Sequence, residues 1–137
     1  MAPGPVHQAA GQREGSLGRF PDVGLHRELA QAGVLLSRVT QTKGKGDMRY
    51  VGIGTGMNSL IRPALYGSYH EIVNLSKVDQ APTHTVTVVG PICETGDFLG
   101  KDRLLSLSAG DLLAIRSSGA YGFTMASNYN SRPRVAE

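Results

Sequence analysis

AGVLLSRVTQTKGKGDMRYVGIG, residues Ala32 to Gly54, decides the fold. Two β-favouring runs, Val34–Thr42 and Met48–Ile53, flank a Gly-Lys-Gly turn, and together they read as a hairpin. Strand side chains alternate, so Arg49, Val51 and Ile53 share one face while Tyr50 lies on the other. Gly54 and Gly56 then break the strand. Further along, Glu71–Leu75 is a short strand. Thr83–Val89 alternates cleanly, with Val86 and Val88 on one face, until Gly90 and Pro91 end it. Leu104–Leu107 and Leu112–Arg116 read as two more strands, joined by a tight Ser-Ala-Gly-Asp turn. Helical signals are few: a turn at Met57–Leu60, stopped by a Pro63 that biases Arg62 toward an extended conformation, and Gly119–Ser127 near the end. Short strands at intervals of roughly 8–12 residues predict a mainly all-β domain, a small barrel or sandwich with a few short helices.

The composition fits one such domain. A chain of 137 residues supports a single core. The formal charge of +3 is scattered, and the local cluster of Arg38, Lys43, Lys45 and Arg49 reads as a solvated hairpin tip. A nucleic-acid surface needs a denser basic stripe with interleaved aromatics, and the chain is 6% aromatic with no Trp, so no nucleic-acid partner is expected. No apolar run approaches the roughly 18 residues of a membrane span. One cysteine excludes an internal disulfide. His70 and His84 have no partner at metal-ligand spacing, and no HExxH, paired CxxC or phosphate-loop motif is present, so no metal site is expected. Residues 1–28 are rich in Gly, Pro, Gln and Arg without periodicity and read as a disordered extension. A transit segment and an arbitrary start are the alternatives. The β-domain is expected over residues 29–137.

Three segments carry the chemistry: MNSLIRPALY (Met57–Tyr66), GPICETGDFLG (Gly90–Gly100) and GAYGFTMASNYNSRPR (Gly119–Arg134). They suit a small zwitterion. Arg62 can fork onto a carboxylate, with Tyr66 adding a donor four residues on, or it can be a surface arginine packing its stem on Leu65. Glu94 can pair with an ammonium. Cys93 beside it can serve as a thiol acid or base, or be a small buried hydrophobe. Tyr121, between glycines, can be core packing. Asp97 reads as a turn residue.

The same segments closely resemble the C-terminal domain of diaminopimelate decarboxylase, a pyridoxal-phosphate family of lysine biosynthesis, over roughly Leu29 to Glu137, with CETGD and GAYG as the specific motifs. The resemblance implies a Greek-key-like β-domain that lies against a (β/α)₈ barrel and forms much of a homodimer interface. It implies that Cys93 is the acid that reprotonates the decarboxylated carbon, delivered across the dimer interface into the partner's site. By the same match Arg62 and Tyr66 hold the distal carboxylate of the substrate, Glu94 grips the ammonium of the far stereocentre, and Tyr121 lies against cofactor and substrate. Asn128, Asn130, Arg132 and Arg134 match a family signature. The sequence departs from the pattern in two places: Gly54 stands where an aspartate is common, and VGLHREL (Val23–Leu29) replaces a Glu-Pro-Gly-Arg phosphate loop.

Pyridoxal phosphate needs a Schiff-base lysine and a phosphate cradle. The four lysines, Lys43, Lys45, Lys77 and Lys101, all stand in polar or turn contexts, and the family's lysine belongs to the barrel. The expectation is therefore a C-terminal domain, inactive alone, of an enzyme that decarboxylates meso-diaminopimelate to lysine in the cytoplasm or, in a photosynthetic eukaryote, a plastid. An ornithine-type substrate has no second carboxylate for an arginine–tyrosine clamp. A second reading is a non-catalytic subunit pairing with a full-length decarboxylase; a third is a β-domain recruited for unrelated binding.

Overall fold

The computed structural model describes residues 31–137, so the disorder expected of residues 1–28 lies outside the described residues. Strand β1 (Leu35–Lys45) turns into β2 (Met48–Ile53) at Gly46 and Asp47. Gly46 takes φ 59°, the left-handed value that a two-residue hairpin turn needs at its first central position. The hairpin forms as expected, but Gly44 and Lys45 stay in the ladder opposite Arg49 and Met48, so the tip is Gly-Asp rather than Gly-Lys-Gly.

With β3 (Ile72–Asn74), β4 (His84–Val89), β5 (Phe98–Leu105) and β6 (Leu112–Ile115), these strands form one sheet of order β3-β6-β1-β2-β4-β5. Strand β1 serves both halves. Its Leu35–Arg38 stretch pairs with β6, its later residues pair with β2, and a bulge between Val39 and Gln41 bends it from one to the other. All pairings are antiparallel except β2 with β4. A parallel pair requires a long crossover, supplied here by residues 54–83, which carry the short helix α1 (Arg62–Tyr66) and β3. The outer strands β3 and β5 meet through side chains: a Cβ at Gly100 would lie 3.0 Å from Ile72 Cδ1. The sheet is thus nearly closed into a barrel, one of the two forms, barrel or sandwich, that the strand spacing predicted.

The barrel is filled by Leu35, Val39, Val51, Ile53, Leu60, Ile72, Val86, Val88, Leu99, Leu113 and Ile115. Alternation works as read: Val86 and Val88 point inward, as do Val51 and Ile53, while Arg49 on that same face reaches solvent near the hairpin tip. Leu113 is fully buried, so truncating it to Ala would cost about 2–5 kcal/mol.

Three local expectations are corrected. Strand β5 begins at Phe98 and ends at Leu105, so the expected strand Leu104–Leu107 overlaps only its end. Exposed Lys101 and Asp102, the latter at φ 51°, break the apolar pattern of β5. The tight Ser108–Asp111 turn forms as expected, closed by an Asp111 N–H bond to the Ser108 carbonyl (3.1 Å), and the strands it joins pair elsewhere, β5 with β4 and β6 with β1 and β3. Pro63 opens a helix rather than stopping one, and Arg62 is that helix's first residue instead of being extended. Proline is preorganised for the first helical turn, where its missing N–H has no partner to lose. Gly119–Ser127 contains only a 3₁₀ turn, Phe123–Met125. Gly122 there packs so close to Ser118 that a Cβ would fall 2.1 Å from its carbonyl oxygen.

Candidate functional site

Helix α1 is a single turn fixed at both ends. Buried Pro63 starts it, and Gly67 ends it at φ 64°, its N–H reaching the carbonyls of Arg62 and Pro63. One turn places residues four apart on the same side, so Arg62 lies beside Tyr66, its Cζ 5.7 Å from the ring centroid. The Tyr121 ring comes from the tail of the chain and covers the guanidinium more closely, at 4.9 Å. Three of the expected residues, Arg62, Tyr66 and Tyr121, therefore form one cluster. Among the described residues the ion pairs are Lys77–Asp111 and Arg116–Glu71, and Arg62 is in neither. Behind this cluster, buried His70 bonds the Arg116 carbonyl through Nδ1 at 3.0 Å, so that nitrogen carries the proton. Burial holds the His70 pKa below the usual histidine value, with the charges of Arg62 and Arg103 adding to the effect against the opposing hydrogen bond.

Cys93 and Glu94 occupy the loop between β4 and β5, and both are exposed. Cys93 is thus not a core hydrophobe. Glu94 accepts a hydrogen bond from the Tyr129 hydroxyl, whose pKa is raised first by that bond and then by the carboxylate's charge. Tyr129 was missed in the sequence, where only the neighbouring Asn and Arg positions of the signature stood out. Those neighbours shape the tail: Asn128 Nδ2 donates to the Arg132 carbonyl (3.0 Å), and Arg132 Nη2 donates to the Gly54 carbonyl (2.9 Å). Beside Tyr129 lies a cavity of about 250 Å³ lined also by Met57, Asn58, Ile61 and Ser127. Ser127 N–H donates to the Asn58 carbonyl (2.8 Å) and so joins the tail to the Met57–Tyr66 segment.

Asp97 is more than the turn residue expected. Its N–H does close the turn onto the Glu94 carbonyl at 3.1 Å. Its side chain, only 4% exposed, accepts N–H bonds from Met57 and from Ile92, each at 2.6 Å. Burial raises the Asp97 pKa above the ordinary carboxylate value, and the two amide donors and the Arg132 charge only partly offset this.

Residues 26–119 match the family model described as the pyridoxal-dependent decarboxylase C-terminal sheet domain. The chain belongs to this family. It is 56% identical over 108 residues to a diaminopimelate decarboxylase of Vibrio cholerae, covering 79% of this chain and 26% of that protein. It is 52% identical over 105 residues to one of Archaeoglobus fulgidus, covering 76% and 25%. Among solved structures, diaminopimelate decarboxylase of Helicobacter pylori complexed with L-lysine superposes with a TM-score of 0.69 at 41% identity, over 78% of this chain and 26% of that one. A lysine/ornithine decarboxylase of Vibrio vulnificus, at 19% identity and TM-score 0.68, shares the fold. The chain spans about a quarter of the length of the decarboxylases it matches.

The family is pyridoxal-dependent, and the described residues do not by themselves fit that cofactor. Lys77 is paired with Asp111 at 2.9 Å, and Lys101 lies 3.9 Å from the Phe98 ring centroid. Lys43 and Lys45 are exposed on the β1–β2 hairpin. No lysine stands in the buried, apolar setting that lowers an amine's pKa for Schiff-base chemistry. What this decarboxylase C-terminal domain offers instead is two groups of polar side chains: a guanidinium stacked on two phenols, and a surface carboxylate bonded to a third phenol beside an exposed thiol.

Proposed function

We propose that this domain supplies the substrate-recognition and proton-donating wall of a diaminopimelate decarboxylase active site. Arg62 takes the distal carboxylate of meso-diaminopimelate, and Tyr66 adds a hydrogen bond from the same face of α1. Glu94 takes the ammonium on the same carbon, and Tyr121 lies against cofactor and substrate. Cys93 delivers the proton that replaces the lost carboxylate, acting in the site of a second copy across a homodimer interface. The observation that carries this reading is the state of Arg62: it is stacked on two tyrosine rings, with no carboxylate of the described residues in ion-pair contact. A guanidinium held that way is preorganised for a planar anion from outside, and its fork matches a carboxylate.

The test needs a barrel domain, fused or added in trans, and measures CO₂ release from meso-diaminopimelate. Cys93→Ala should reduce kcat by roughly 10²–10⁴ with KM nearly unchanged. Arg62→Ala should act mainly on KM, and should narrow the preference over a diamine acid lacking the distal carboxylate. Equal and mild losses from both would mean that neither residue belongs to a site.

A further inference from the structure

We infer that Asp97 is a positioning residue whose carboxylate fastens the loop bearing Cys93 and Glu94 to the segment bearing Arg62. The reading of those residues as a site rests on the function proposed above; the fastening itself does not. Each carboxylate oxygen holds a different segment. Oδ1 accepts the N–H of Met57, which opens the segment leading into α1, and Oδ2 accepts the N–H of Ile92, the residue before Cys93. An ionised carboxylate offers acceptors on both oxygens, whereas Asn offers one oxygen and one donor. The surroundings are shaped to it. A Cβ on Gly56 would lie 2.7 Å from both carboxylate oxygens, and one on Gly90 would lie 2.3 Å from Oδ2 and 2.4 Å from the Gly56 Cα. Two chain segments thus approach each other closely, with the carboxylate between them.

Both sides are stiff enough to transmit the constraint. On one side the Gly56 carbonyl accepts N–H bonds from Ser59 (2.9 Å) and Leu60 (3.1 Å), and Leu60 is fully buried in the core just before α1. On the other, the Glu94–Asp97 turn is closed by the Asp97 N–H bond to the Glu94 carbonyl, and Gly90 N–H bonds the Asp97 carbonyl at 3.0 Å. Arg132 brings the tail to this corner through the Gly54 carbonyl, with its charge felt by Asp97. A buried carboxylate is costly, and an apolar side chain would fill the same space at less cost. Only the carboxylate ties two backbone donors together.

Amide exchange in the full chain, followed by NMR without substrate or cofactor, tests this. Asp97→Asn keeps the shape but turns an amide NH₂, a donor, toward one of the two N–H groups. Exchange at Met57 or Ile92 should quicken on the order of 10- to 100-fold, the loss of a hydrogen bond to a charged acceptor. Resonances of Cys93, Glu94 and the Arg62 side chain should shift together, while amides of the β1–β6 ladder keep their protection. Gly56→Ala, which leaves the carboxylate but pushes it aside, should give the same local pattern. Unchanged exchange at both Met57 and Ile92 would overturn the inference. So would acceleration spread evenly through the β1–β6 ladder, or unfolding in both variants, since either marks a merely structural residue. A fusion that fails to decarboxylate counts against the proposed function and leaves this exchange pattern standing.

Discussion

Glu94 and Tyr129 show how a single hydrogen bond can prepare a charged group. The tyrosine hydroxyl donates to the carboxylate, orienting it at the protein surface while leaving capacity for another cation or donor. The bond also keeps the phenol protonated, since losing the proton would set two negative charges side by side. Glu94→Gln should therefore move the titration of one tyrosine to lower pH, read from phenolate absorbance of the full chain. A titration curve superimposable on the wild type would show that the bond does not persist in solution. At this scale the sequence was informative where fixed spacing brings side chains together, as with Arg62 and Tyr66 on one turn of helix. Asp97 was opaque because its partners are backbone amides, one of them 40 residues away. Only the glycines at positions 56 and 90 hinted that something had to fit there.

Among the elements, strand alternation was legible because burial on one side imposes period two, as Val86 and Val88 demonstrate. Strand β5 was harder to see, because its middle carries exposed Lys101 and Asp102 where the ladder with β4 is irregular. The α1 turn was misread because the proline rule is a preference, and the Gly67 cap and the burial of Pro63 outweigh it. The segment after α1 holds His70, whose lowered pKa favours the neutral form in the folded state. Its contribution to stability is thus full above the unfolded value near 6.5 and is lost as pH falls through the folded pKa. His70→Asn keeps a donor near the Nδ1 position and cannot titrate. Between pH 7.5 and 5, urea midpoints of the wild type should fall more than those of His70→Asn. Parallel midpoints would mean that burial does not perturb this histidine.

For the whole molecule, the sequence announced a β-domain but not the parallel β2–β4 pair, since a single sequence gives strands without their partners. Val34, Leu36, Leu65, Tyr66, Tyr69 and Leu104 are each more than half exposed, and apolar surface of this kind favours association. The chain on its own should self-associate, measurable by sedimentation across a concentration series; a monodisperse monomer at high concentration would refute this. It should also take up no stoichiometric pyridoxal phosphate, followed by absorbance, and release no CO₂ from meso-diaminopimelate. Turnover without any other protein would contradict the assignment of the lysine-bearing half of the chemistry to a barrel.

The crossover between β2 and β4 has a kinetic consequence. Pairing these parallel strands requires residues 54–83 to close as a loop, and the segment bearing Arg62 lies inside it. Loop closure has an entropic cost before any long-range contact offsets it, so folding should be slow for a chain of this size. The guanidinium and its tyrosine neighbour acquire their surroundings only once that loop has shut. A fluorophore placed near Tyr66 should therefore report a later refolding phase than one on the β1–β2 hairpin, whose turn forms locally.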